Sequence, residues 1–65
     1  MNREQTFMQI LNEYITLKNC LETEKNLFFT RHLLGKLEGI EYCMSEFGYN
    51  FDFKNGKWTI NRKLS

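Results

Sequence analysis

The stretch Phe51-Asp52-Phe53-Lys54-Asn55-Gly56-Lys57-Trp58-Thr59-Ile60, written FDFKNGKWTI, decides the fold. The Asn-Gly pair at its centre is the strongest short signal for a two-residue hairpin loop, because a type I′ turn needs positive φ at both central positions. Such a loop sets Lys54 opposite Lys57, Phe53 opposite Trp58, Asp52 opposite Thr59 and Phe51 opposite Ile60. Phe51, Phe53, Trp58 and Ile60 then share one face, while Asp52, Lys54, Lys57 and Thr59 share the other. A slip of one residue would scramble that segregation, so turn chemistry and face pattern agree on the register. The hairpin is expected over about residues 49–62. A lone two-stranded ribbon does not hold in water, so its aromatic face needs a surface to lie on.

The residues before it supply that surface. Phe7, Ile10, Tyr14, Leu17 and Leu21 recur on alternating steps of three and four, with Leu11 beside them, which is the stripe of an amphipathic helix. Asn2 offers an N-cap and Gln5 its capping-box partner, giving a first helix over about residues 3–22. Thr23 is the best cap for a second helix, with Glu24 favoured at its positive end. Thr30, Leu33, Leu37, Ile40, Met44 and Phe47 repeat the spacing, and Gly48 stands where helices turn left-handed. The second helix is therefore expected over about residues 24–47, with Tyr49 packing back on Met44. A short link around Glu22–Glu24 folds the two into an antiparallel pair, facing Phe7 with Ile40, Ile10 with Leu37 and Tyr14 with Leu33. Met8, Leu11 and Ile15 form a flank on the first helix to receive the hairpin. The expected fold is α+β, ordered ααββ, as a single domain over residues 1–65.

Length and composition bound the rest. Sixty-five residues make a small domain that buries only about 60% of its unfolded surface, so its stability is marginal. With 42% hydrophobic and 15% aromatic residues, the chain is too apolar for disorder. No apolar run approaches the ~18 residues of a membrane span, and MNREQTF lacks the layout of a signal peptide. A cytoplasmic location is expected. The chain has no Ala, Val or Pro and is rich in Asn, Lys, Ile, Phe, Leu and Glu. Ala and Pro need GC-rich codons, so this bias points to an AT-rich genome and, for so short a chain, to a phage or mobile-element product.

Gly35 and Gly39 stand one turn apart inside the second helix, where each costs roughly 0.5–1 kcal/mol against alanine. At 100° per residue, with Leu37 at zero, they lie near 160° and −160°, away from the first helix. Phe28, His32 and Tyr42 share that side, with Cys43 at its edge. Paired small residues four apart let another backbone approach closely. The leading expectation is that this face packs against another helix, most simply that of a second copy in a two-fold dimer. Two alternatives stand beside it. The protein's own hairpin covers the notch with Trp58 or Phe53, or the glycines merely relax a surface helix.

Several chemistries lack their residues. Cys20 and Cys43 fall at opposite ends of the helical pair, roughly 24 Å apart, beyond disulfide reach. They read as two buried or half-buried thiols in a reducing compartment. One His and two Cys without CxxC or HxxxH spacing do not make a closed zinc site. His32 and Cys43 stand about 16 Å apart along the helix, too far for a nucleophile and its base. Glu38 and Glu41 read as solvated helix charges. No glycine-rich phosphate loop joins a strand to a helix. No enzyme activity, cofactor or metal is expected.

Charge is divided unevenly. Residues 1–53 hold five basic and eight acidic side chains, whereas residues 54–65 hold Lys54, Lys57, Arg62 and Lys63 with no acid. A basic hairpin beside Trp58 supports an alternative function, a small DNA-associated transcriptional regulator. Against it, Trp58 falls on the docking face, and the two long helices with a tight reversal form no helix-turn-helix. GKLEGIEYCMSEFGY leading into an Asn-Gly hairpin resembles, in general layout, the short accessory proteins of Gram-positive phages. That resemblance carries over no activity, but the aromatic and glycine face of the second helix, taken with the codon bias toward a phage product, leads to the expectation of a non-enzymatic protein-binding module that inhibits a host protein by occupying its surface, for example an anti-CRISPR inhibitor. The expected contact residues are Phe28, His32, Gly35, Gly39 and Tyr42, with Lys54 and Lys57 at the hairpin tip as a second patch. The partner is a second copy or a host target. A structural subunit of a larger assembly would use the same face.

Overall fold

The computed structural model describes residues 3–63 and orders them as α1 (Arg3–Thr23), α2 (Leu27–Glu46), β1 (Tyr49–Lys54) and β2 (Lys57–Arg62). The strands pair antiparallel, Lys54 with Lys57, Phe53 with Trp58, Asp52 with Thr59 and Phe51 with Ile60. Asn55 and Gly56 hold φ of 55° and 78°, the pair of left-handed values that the tight loop requires. On the outer face the Asn61 side-chain amide donates to Asp52 Oδ2 (2.8 Å) and to Thr59 Oγ1 (3.1 Å). The bond to Asp52 ties the two strands together where solvent meets them, and the bond to Thr59 steadies Asn61 along its own strand.

The helix boundaries differ from expectation at the link. Thr23 does not cap α2. It ends α1, and its hydroxyl donates back to the carbonyls of Cys20 and Asn19 (3.3 and 3.5 Å). The cap is Asn26, in extended backbone conformation, whose Oδ1 accepts from the amides of Phe28 and Phe29 (2.8 and 3.3 Å). Asn is among the strongest N-caps and outranks Thr, and Thr retains enough helix propensity to finish the preceding turn. Glu24 joins the link instead of opening the helix, its Oε1 accepting from the Asn26 amide (3.0 Å). The N-cap expected for α1, Asn2, lies outside the described residues.

The other end of α2 closes as the sequence indicates. Gly48 takes φ of 89° and donates its amide to the Ser45 carbonyl (3.0 Å). Its own carbonyl then accepts from the Lys63 amide (2.8 Å), and the Lys63 ammonium bonds Ser45 Oγ. A cation is thereby placed at the negative end of the helix. Tyr49 turns its ring edge-on to Phe7 of α1, with centroids 4.8 Å apart.

The later start of α2 shifts the helical pair by about one turn. Ile10 lines a groove with Ile40 and Met44, and Tyr14 packs with Leu37 and reaches Glu41 beyond it. The buried core is Tyr14, Leu17, Leu37 and Met44. Leu21, Leu33, Ile40, Phe51 and Trp58 pack against the Tyr14–Leu17–Leu37 cluster. Tyr14 is its keystone at 1% exposure. Phe51 stacks flat on its ring at 3.9 Å, and Trp58 meets it edge-on at 5.2 Å. The Lys18 ammonium covers the rings of both Tyr14 and Trp58, at 5.4 and 5.1 Å from their centroids. Aromatic pairs of this kind contribute about 0.5–1.5 kcal/mol each beyond the area they bury. They fasten the hairpin across the helical pair, β1 against α2 and β2 against α1.

Candidate protein-binding surface

A buried phenol needs a hydrogen-bond partner, and Tyr14 finds one 27 residues away. Its Oη donates to Glu41 Oε2 at 2.7 Å. Burial, then the hydrogen bond and the negative charge of Glu41, push the phenol well above its ordinary ionisation range. Glu41 is thus the acceptor that satisfies the core, not simply a solvated helix charge. Nothing in the sequence joins the two residues, since the bond depends on the relative height of the helices. Its role is structural, and the candidate surface lies elsewhere on α2.

Phe28, His32, Gly35, Gly39 and Tyr42 are all exposed on the outer side of that helix. Phe28 is 77% exposed and Tyr42 67%. A Cβ built on Gly35 or Gly39 meets nothing within 4 Å. This overturns the alternative in which the protein's own hairpin fills the notch. The Phe51–Tyr14 stack holds the aromatic ribbon over the groove between the helices and keeps it from wrapping around α2. Phe28 contacts the neighbouring Phe29 edge-on at 6.0 Å, so the first turn of α2 displays two aromatic rings. Both cysteines are exposed as well, contrary to the expectation of buried or half-buried thiols. They lie on sides of their helices that the hairpin does not cover.

Lys54 and Lys57 flank the hairpin turn and are exposed. Arg62 and Lys63 sit at the opposite end of the ribbon, with Arg62 paired to Tyr49 and Lys63 turned to Ser45. Five residues of strand separate the two groups by roughly 17 Å. The four cations therefore form two small patches. Beneath the tip, Phe53, Lys57 and Trp58 overhang Ile15, Lys18 and Glu22 of α1 in an open groove.

A second groove is not legible in the sequence. Ile10, Ile40 and Met44 form its apolar floor, with Gly39, Cys43, Glu13 and Lys36 around it. Ile10 and Ile40 match the helical spacing of core residues, and the pattern does not say which core-type residues will stay half-exposed. Among the described residues no group of three His, Cys, Asp or Glu side chains stands together as a metal site, and no helix is long and apolar enough to cross a membrane. No family model, curated protein or solved structure matches the chain.

Proposed function

We propose that the protein is a non-enzymatic protein-binding module that acts by occupying the surface of a target, in the manner of a small phage-encoded inhibitor of a host protein. One observation carries this reading. The outer side of α2 presents Phe28 and Tyr42 at 77% and 67% exposure, around two glycines with open space above them. A solvated helix back would carry Lys, Glu and Gln, and aromatic residues are the ones that dominate binding energy at interfaces. The notch at Gly35 and Gly39 admits a backbone or a flat side chain close to the helix axis.

Two features weigh against the DNA-associated reading. Trp58 is packed on Tyr14 under Lys18, which leaves only part of its ring open to a base. The cations are split between the two ends of the ribbon, and a divided footprint of four charges is a weak one.

The test is affinity capture from host extract with the wild-type chain and with Phe28→Glu and Tyr42→Glu variants, followed by reconstitution with the purified captured protein. A partner that binds the wild type and loses at least about tenfold in affinity to each variant supports the reading. Equal binding by all three proteins, or salt-sensitive DNA binding by the purified chain, overturns it.

A further inference from the structure

The helical pair has two broad faces, and the hairpin covers one of them. Met8, Leu11 and Ile15 of α1 stand beside hairpin residues. The groove floored by Ile10, Ile40 and Met44 has no hairpin residue in its walls and opens on the opposite side. Along α2 this open side carries a full-length stripe at steps of four and three, from Phe29 through Leu33, Lys36, Ile40 and Cys43 to Phe47. Its ends are strongly exposed, Phe29 at 54% and Phe47 at 79%. In a two-layer fold the apolar side of a helix needs cover, and here Tyr49 and Arg62 border only the Phe47 end of this side, while the groove over Ile10, Ile40 and Met44 has no hairpin wall.

We infer that this face pairs with the same face of a second copy, about a two-fold axis parallel to the helices, to give a four-helix layer between two outer hairpins. Charge selects this occupant and this axis. Glu13 on α1 and Lys36 on α2 border the groove at one level, on opposite sides of its apolar floor, and both are exposed. A two-fold axis along the groove carries α1 of one copy over α2 of the other. Glu13 of each copy then lies over Lys36 of its neighbour, twice, and Ile10 lies over Ile40 and Met44. Each helix runs antiparallel to the helices it touches, as in an up-and-down bundle. An axis across the helices would instead set α1 on α1 and lose the pairing of unlike charges.

The area is sufficient. Helices of 20 and 21 residues are about 30 Å long, and a pair is roughly 20 Å wide, so the closed dimer buries about 1,200 Å² in total. That exceeds the ~1,000 Å² expected of a specific interface. Gly39 lies at the edge shared by the two surfaces, but Phe28, Gly35 and Tyr42 on the outer side of α2 stay free, so this pairing stands whether or not that side holds a target.

Charge exchange tests it. Sedimentation equilibrium of the wild type is expected to give twice the 7.9 kDa of one chain. Glu13→Lys and Lys36→Glu should each weaken association by at least about tenfold, because each sets like charges face to face twice per dimer. Mixing the two single variants should restore a dimer containing one of each, and the double variant should associate like the wild type. Circular dichroism checks that every variant keeps its helices. A wild type that stays monomeric at about 100 μM overturns the inference. So do single variants that associate as tightly as the wild type, or that mixing does not rescue.

Discussion

Tyr14 does more than any other residue to hold the molecule together, and it does so with both ends of its side chain. The ring is the surface on which Phe51 stacks and Trp58 rests, and the hydroxyl binds Glu41 across the helical pair. Removing the acceptor leaves a buried hydroxyl unsatisfied, so Glu41→Ala should cost about 1–3 kcal/mol in urea unfolding. In the Tyr14→Phe background the same change should cost about 0.5 kcal/mol or less, because the hydroxyl is already gone. Equal costs in the two backgrounds would show that the bond adds no stability. The raised ionisation of Tyr14 also gives stability a pH dependence. The folded state holds the proton to higher pH than the unfolded chain does, so this contribution is fully present below the ordinary phenol range. It is lost as pH rises above ~10, with a slope of up to about 1.4 kcal/mol per pH unit. The comparison of wild type with Tyr14→Phe from pH 8 to 11 isolates this contribution. The wild type should lose its advantage only above pH ~10.

At the scale of elements, how much the sequence reveals depends on how local the deciding interaction is. The hairpin register was legible to the residue, because period-two alternation and the Asn55–Gly56 turn specify it independently. Gly48 likewise marked the end of α2. The start of α2 is not legible, because Thr23 and Asn26 both offer cap chemistry within four residues and it is the Asn26 side chain that reaches the free amides. The later start goes with a helix pairing about one turn away from the one the spacing suggests. Which broad face the ribbon would cover was not legible, since an amphipathic stripe records apolar residues without saying what lies over each. The glycines separate into two kinds by the same logic. Gly56→Ala should destabilise by about 1–2 kcal/mol through its positive φ. Gly35→Ala should stabilise by about 0.5–1 kcal/mol, since the helix gains propensity and the new methyl meets nothing. Asn26→Ala should cost about 1 kcal/mol through the lost cap. Urea titration of the three variants checks all three signs.

For the whole molecule the deciding fact is how little is buried. Only Tyr14, Leu17, Leu37 and Met44 are buried hydrophobics among the described residues, while Phe28, Phe29, Tyr42, Phe47 and Phe53 are each more than half exposed. A small domain with such a core has little stability to spare, and its uncovered apolar surface is where further stabilisation can come from. The fold therefore divides its labour. The hairpin closes one side of the helical pair, and on the two proposals above a second copy closes the other while the outer edge of α2 meets a target. If the open face of the helices is completed by self-association, folding and dimerisation are coupled and the unfolding midpoint depends on protein concentration. Thermal unfolding followed over a hundredfold range of concentration tests this most directly. The midpoint is predicted to rise by about 5–10 °C from the lowest concentration to the highest, and a midpoint that does not move would contradict the account.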